Sequence, residues 1–136
     1  MSSFGYRIDL PEQPEAVVFV NGICARDLTG LLWLWKNMAW IKKTTVEAAG
    51  CVQVKAGLCG PNEVAVVSYW RSGECLREFF RGEAHRRMMQ FTASHPESLC
   101  LYNETYQPSR SGKYTHEPQG MALIYNVMSD VRLTAK

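Results

Sequence analysis

The stretch Val64–Tyr106, VAVVSYWRSGECLREFFRGEAHRRMMQFTASHPESLCLYNETY, decides how the chain is expected to fold. It begins with a segment in which apolar residues alternate and ends with a second such segment, a pattern typical of β-strands with one buried face. Between the two, apolar residues recur at helical spacing. The stretch is therefore predicted to form a strand, a helix and a strand.

The predicted helix carries His85, and the direction of this side chain depends on one glycine. The apolar stripe of the helix consists of Leu76, Phe79, Phe80, Ala84, Met88 and Phe91. On one unbroken helix, His85 would lie roughly 140° from the centre of that stripe and would face solvent. If the helix bends or restarts at Gly82, His85 can turn inward. It would then share a face with Met88, Met89 and Thr92.

Upstream of this stretch, the sequence predicts a strand, a helix and a second strand. Ala16–Gly22 is a β-branched run that ends in Asn-Gly, which is typical of a buried strand. A helix is predicted from Asp27 or Thr29, either of which can be its N-cap, to Ala49. The second strand, Cys51–Leu58, leads through a tight turn into the stretch described above.

The first helix is apolar on more than one side. Its core-facing stripe is predicted to consist of Leu31, Leu34, Trp35, Met38, Ile41 and Thr45. Trp33 and Trp40 fall on the opposite side, where they indicate a dimer contact or partial exposure more readily than a cofactor or membrane role. A membrane-surface helix would need more lysines on that side.

Downstream, a polar loop over residues 108–120 is long enough to act as a lid or to pack on a partner. Gly120–Val127 is predicted to close the domain as a fifth strand. The element order β-α-β-β-α-β, with one more β, predicts an α+β fold of the ferredoxin-like split βαβ type, with both helices on one face of an antiparallel sheet. The expected organisation is an arm at 1–15, one domain at 16–128 and a tail at 129–136.

The apolar residues on both faces of the predicted strands require a cover for the second face of the sheet. A second copy of the chain is the simplest cover, which predicts a homodimer that meets sheet against sheet. The formal charge of +2 gives no reason to expect nucleic acid as a partner. Five cysteines without CxxC spacing, and an N-terminus without an apolar signal core, predict a cytoplasmic protein with free thiols. The apolar run Leu31–Ile41 is too short for membrane insertion.

Four short motifs carry a resemblance to a known family: YWRS at 69–72, FF followed after four residues by HRRMM at 85–89, NETY at 103–106 and IYNV at 124–127. Over roughly residues 15–127 the chain resembles the monooxygenase-like family of dimeric α/β barrel proteins, which contains a fumagillin-pathway oxygenase. The family usually has a histidine at the position of Asn103. It usually has a tryptophan after the helix histidine, where this chain has Met88 and Met89.

The resemblance implies a small enzyme of natural-product metabolism that needs neither metal nor flavin and binds an apolar substrate between its helices and its sheet. In agreement, the three histidines lack metal-ligand spacing and no Gly-rich segment opens a phosphate site. The candidate catalytic residues are His85, Arg71, Asn103, Glu104 and Tyr106. The candidate substrate-binding residues are Trp35, Met38, Tyr69, Trp70, Phe80, Met88, Met89 and Tyr125.

Three functions remain open at this point. The preferred one is a non-redox cyclisation of a polyketide- or terpenoid-type substrate, as by a pericyclase of the Diels-Alder type, because Asn103 replaces a titratable group and keeps a hydrogen-bond donor. In the second, a cofactor-free monooxygenase, His85 is the base that deprotonates a phenol or enol. The third is a binding protein for an apolar metabolite. His85 can equally be a surface histidine, and the aromatic residues can be ordinary core or dimer side chains.

Overall fold

The described part of the chain forms nine regular elements and one short turn. A computed structural model describes the backbone of residues 4–134 and the side chains of residues 5–128. The elements are β1 Phe4–Ile8, β2 Val17–Ala25, α1 Leu28–Val46, β3 Cys51–Gly60, β4 Glu63–Trp70, α2 Gly73–Arg81, α3 Glu83–Ser94, β5 Leu99–Tyr106 and β6 Val127–Thr134, with a 3-10 turn at Gly120–Leu123. No helix within 4–134 is both long and apolar enough to cross a membrane.

Strands β2 to β5 form one antiparallel sheet in the order β3-β4-β2-β5. Strand β2 is central and pairs along nearly its whole length with β4 on one side and β5 on the other. The first helix connects β2 to β3, and α2 with α3 connects β4 to β5. This is the ferredoxin-like arrangement, so the fold class expected from the sequence is confirmed.

Alternation along β4 sets which face of the sheet meets the helices. Val64, Val66, Ser68 and Trp70 all point to that face and all are buried, as their spacing predicts. Trp70 is fully buried, and its indole N–H donates a 2.8 Å hydrogen bond to the Ser68 hydroxyl. A buried indole with a partner for its N–H carries no unpaired polar group. The core between sheet and helices is thus built on alternate residues of the strands.

Helix α1 begins at the predicted cap. The Asp27 carboxylate accepts a 2.8 Å hydrogen bond from the backbone N–H of Gly30, and it also accepts one from the hydroxyl of Ser98. The helix ends at Val46, three residues before the predicted Ala49. Its start is therefore fixed both by its own cap and by the segment that precedes β5.

The face of α1 that carries Trp35 was expected to meet the core, and for this residue the expectation is wrong. Leu34, Ile41 and Thr45 are buried, but the Trp35 side chain is 71% exposed. Trp33, expected on the outer side, instead stacks on Phe91 of α3 with ring centroids 4.8 Å apart. Because α1 is apolar nearly all round, spacing alone does not decide which tryptophan turns inward.

The two chain ends form a second, two-stranded sheet in which β1 pairs with β6. The prediction of a strand over Gly120–Val127 is wrong, since Gly120–Leu123 is a 3-10 turn and β6 starts only at Val127. Gly120 has φ +60°, and a Cβ there would lie 3.0 Å from the Tyr69 ring. The expected arm at 1–15 and tail at 129–136 thus contribute strands, while residues 1–3 and 135–136 lie outside the described part.

This terminal sheet covers one end of the sheet face that points away from the helices. Tyr6, Ile8 and Met121 are buried there and pack with Val18 and Tyr69 of the main sheet. The loop that precedes the 3-10 turn joins in, because the backbone of Tyr114 exchanges two hydrogen bonds with that of Tyr6. Strands β1 and β6 and the loop before the 3-10 turn therefore bury part of this face of the main sheet.

Candidate active site

A break in the second helical segment creates the site. Helix α2 ends at Arg81, Gly82 is extended with φ −77° and ψ 165°, and α3 starts at Glu83. The Gly82 N–H donates to the carbonyl of Phe79, which closes the last turn of α2. The restart at Gly82 was one of two possibilities left open by the sequence, and it turns His85 towards the sheet.

Beneath α3 lies an apolar cavity of about 60 Å³. Its walls come from the helix-facing side of the sheet, from α1 and from the two short helices. They consist of Phe19, Asn21, Ile23, Trp33, Ile41, Thr45, Val66, Ser68, Phe79, His85, Met88, Met89, Thr92, Leu99 and Leu101. None of the residues of helix α3 is fully buried, because the cavity separates this helix from the sheet.

His85 is the one titratable group among the described residues that line this cavity. Its ring lies 4.9 Å from the Phe80 ring and 5.9 Å from the Phe79 ring, measured between centroids. Burial against these rings lowers the pKa of the His85 imidazole, and a hydrogen bond to the Phe80 backbone partly opposes this effect. A lowered pKa leaves the imidazole neutral near pH 7, the form in which it can accept a proton.

Asn21 is the most polar of the cavity residues that sequence reasoning did not assign to the site. It follows Val17 and Phe19 on the helix-facing side of β2, where a strand of the core would be expected to continue with an apolar side chain. Its amide forms no hydrogen bond with the described residues, whereas the hydroxyl of Thr45 already donates to the carbonyl of Ile41. A polar residue in an apolar register position was the signal that could have identified it.

The other predicted catalytic residues do not line the cavity. Arg71 is exposed just after β4. Asn103 is exposed on β5 directly opposite Asn21, at the rim of the sheet. Glu104 and Tyr106 lie on or beside the opposite face, where the Tyr106 hydroxyl donates a 2.6 Å hydrogen bond to the Glu104 carboxylate. That hydrogen bond raises the pKa of Tyr106.

The predicted substrate-binding residues are divided between the cavity and other parts of the core. Met88 and Met89 line the cavity, and Phe80 adjoins it through His85. The remaining ones lie elsewhere. Met38 packs on the core under α1, and Trp70 belongs to the core under α2. Tyr69 and Tyr125 lie on the sheet face opposite the helices, and Trp35 is exposed to solvent. The site that the structure assembles is more apolar than the predicted set.

The groups that could hold a cofactor or a metal are few. Within the described residues, no three His, Cys, Asp or Glu side chains are grouped as metal ligands. All five cysteines are free. Burial raises the pKa of the Cys51 thiol to about 11, so this thiol is protonated at neutral pH.

Comparison with known proteins places the fold and the family. A family model described as monooxygenase af470-like matches residues 16–123. Comparison with curated proteins finds no match. Among solved structures, a variant of SnoaB, a cofactor-independent oxygenase from Streptomyces nogalater, is similar with a TM-score of 0.55 at 10% identity, over 71% of this chain and 95% of that chain.

Two further solved structures share the fold. A protein from Shewanella oneidensis has a TM-score of 0.58 at 18% identity, over 79% of this chain and all of that chain. MupZ from Pseudomonas fluorescens has a TM-score of 0.54 at 9% identity, over 74% of each chain. At these identities the likeness shows a common fold.

Proposed function

Because the chain belongs to the monooxygenase af470-like family, we propose that it is a natural-product enzyme that oxygenates an apolar substrate at an acidic carbon without a cofactor. The observation that carries this proposal is His85, a histidine with a lowered pKa in the wall of an apolar cavity. A neutral imidazole in such a place is suited to act as a general base. The oxygenase activity named for SnoaB is consistent with this reaction class.

The reaction begins with a proton transfer. His85 removes a proton from a methylene that a neighbouring phenol or enol makes acidic, and the resulting carbanion passes one electron to O₂. The substrate radical and superoxide combine into a peroxide, which takes up the proton from His85. Loss of the second methylene hydrogen and of hydroxide gives a carbonyl and water. The substrate thereby gains one oxygen and loses two hydrogens.

The cavity walls favour a carbanion whose charge is spread over a large ring system. An apolar wall disfavours a localised charge, and Asn21 supplies one amide N–H that can bind the oxygen of the enolate. Because about 60 Å³ is less than the roughly 150 Å³ of cavities that accept benzene, α3 must move outward to admit such a substrate. Met88 and Met89 are flexible and can rearrange around the ligand.

Non-redox cyclisation is the second candidate, and the apolar walls favour it. A cavity of this kind can hold a flexible chain in a reactive conformation, which supplies several kcal/mol without a titratable group. The side chains expected to polarise a carbonyl, Arg71, Asn103 and Tyr106, lie outside the cavity, which leaves Asn21 for that role. His85 has no function in this reaction, and for this reason oxygenation is preferred.

Dithranol, an anthrone with an acidic methylene, is a suitable probe of the reaction class. We expect it to be converted faster than in a protein-free blank, with O₂ consumed and a carbonyl gained, as followed by mass spectrometry. No acceleration in air would contradict oxygenation. A flexible polyene that is converted without O₂ to a cyclic product of unchanged mass would favour cyclisation, and tight binding of dithranol without conversion would favour a carrier of apolar metabolites.

We also propose that a second copy of the chain covers the rest of the sheet face opposite the helices. Tyr102 lies on this face and is 50% exposed, beside the region that the terminal sheet covers. Its ring packs over Gly22, where a Cβ would lie only 2.1 Å from the ring. A flat aromatic surface on a central part of the sheet is suited to an isologous contact.

A further inference from the structure

Helix α1 presents an apolar ridge to solvent that neither the cavity nor the core uses. Leu28, Leu32, Trp35 and Val46 are 68%, 62%, 71% and 45% exposed, and they recur at intervals of three, four and eleven residues. These intervals place them on one face of the helix, with the exposed Ala39 between them. The ridge runs for about 27 Å along the helix at 1.5 Å per residue.

Lysines flank this ridge along the helix, and the nearest acids, Asp27 and Glu47, are the exposed caps at its two ends. Lys36, Lys42 and Lys43 are exposed on either side of the apolar stripe, and α1 contains no Asp or Glu. None of the three forms an ion pair with a described residue. On the neighbouring helix α3, the Arg87 guanidinium lies over the Trp40 ring at 4.9 Å, which adds another positive charge to this side of the molecule. The ridge therefore fits an anionic partner.

We infer that α1 docks this ridge on an anionic membrane surface. Leucine and tryptophan side chains enter the boundary between headgroups and acyl chains, while lysines beside them reach the anionic headgroups. The charge pattern disfavours a second copy, because a two-fold contact through the ridge would bring the same lysines together. Side chains this exposed project outward, whereas recognition of a partner helix normally uses a groove.

The inference does not rest on the proposed reaction. It differs from the sequence-based expectation, in which Trp33 and Trp40 form the outer side without enough lysines for a membrane surface. With Trp35 outside, the apolar stripe and the lysines lie on the same side. The other side of α1 contributes Trp33, Ile41 and Thr45 to the cavity, so docking would bring the cavity close to the lipid.

Cosedimentation with vesicles tests the inference without any substrate. Vesicles of phosphatidylcholine alone are compared with vesicles in which roughly one quarter of the lipid is phosphatidylglycerol, at low and at high salt. We expect the protein to bind the anionic vesicles, to bind less at high salt and not to bind phosphatidylcholine alone. Failure to bind the anionic vesicles would overturn the inference.

Two exposed leucines supply matched variants. Leu32→Asp should weaken vesicle binding by at least about tenfold, because a leucine contributes roughly 1.5 kcal/mol or more when it leaves water. Leu58→Asp, at a leucine of β3 that is 72% exposed, should bind as the wild type does. Lys42→Gln should weaken binding by about fivefold. Equal losses in the two leucine variants would overturn the inference.

Light scattering distinguishes a membrane as the partner of the ridge from a second copy of the chain. Leu32→Asp should keep the oligomeric state of the wild type, and its circular dichroism spectrum should show that it folds. A change to a smaller species in Leu32→Asp alone would show that another copy covers the ridge, and this result would overturn the membrane assignment.

Discussion

His85 links the stability of the protein to pH. Its pKa is lowered by burial, so the folded protein prefers the neutral imidazole more strongly than the unfolded chain does. The stabilisation is fully present above the unfolded pKa of about 6.5 and is lost as the pH falls below that value. The same preference for the neutral form keeps the imidazole available to accept a proton near neutral pH.

Replacement of His85 by phenylalanine should remove this pH dependence. We expect wild type to lose more free energy of unfolding between pH 7 and pH 5 than His85→Phe does, because phenylalanine has no proton to bind. Urea unfolding at the two pH values measures the difference. His95→Phe, at an exposed histidine of the same helical segment, is the control and should follow the wild type. Parallel pH profiles for wild type and His85→Phe would refute the assignment.

Asn21 is expected to cost stability and to support turnover. Its amide has no partner among the described residues and occupies a core register of β2, where valine is favoured by up to about 1 kcal/mol. Asn21→Val should therefore unfold at the same or a higher urea concentration but convert dithranol at least about tenfold more slowly. Asn103→Val, directly across on β5, is the matched control and should change turnover little. Unchanged turnover in Asn21→Val would exclude a catalytic contribution of the amide.

For single residues, the sequence predicts the direction of a side chain well when the residue's own helix or strand determines that direction. Met88 and Met89 follow from the helical stripe once Gly82 breaks the helix. Asn103 and Glu104 pair with Asn21 and Val20 of the central strand β2, but β5 is an edge strand and leaves them exposed. Strand alternation does not tell an edge from a centre, so these two could not be placed from the sequence.

Among the elements, α3 is held over the cavity in part by one aromatic stack. Trp33→Leu removes the stack on Phe91 and should lower the free energy of unfolding by about 2 kcal/mol. Amide hydrogen exchange in α3 should become faster at the same time. Trp35→Leu, two residues along the same helix and 71% exposed, should stay within about 0.5 kcal/mol of the wild type. Equal destabilisation by both variants would contradict the observed rotation of α1.

The sequence predicts those helices and strands whose own residues show the spacing of apolar side chains that is typical of a helix or a strand. The four strands of the main sheet and their connecting helices meet this condition, and Asp27 and Ser72 mark two helix starts by their own hydrogen bonds. The β1–β6 pairing does not, because its partners are more than one hundred residues apart. The 3-10 turn at Gly120 likewise depends on the close approach of the Tyr69 ring.

For the whole molecule, the proposed dimer is testable through Tyr102. Substitution Tyr102→Arg puts like charges opposite each other in a two-fold contact and should convert the dimer to a monomer. Light scattering measures the mass. Leu58→Arg is the control, because Leu58 is also exposed but pairs with Val64 on the helix-facing side of the sheet, and it should leave the mass unchanged. A wild-type monomer would contradict the proposal.

Three surfaces of the molecule thus have separate assignments. The helix-facing side of the sheet forms the cavity, the opposite face is covered in part by the chain ends, and α1 carries the apolar ridge. Each assignment can be tested with variants that do not change the other two surfaces. The dimer and the ridge can fail independently of the reaction.

The role of His85 as the base within the apolar cavity is tested by the rate of dithranol oxidation by His85→Gln beside that of His95→Gln. Loss of a general base typically costs about 100-fold or more, so His85→Gln should fall to that extent while His95→Gln stays near the wild type. Both variants should fold, as circular dichroism can check. Near-normal oxidation by a folded His85→Gln would contradict this role.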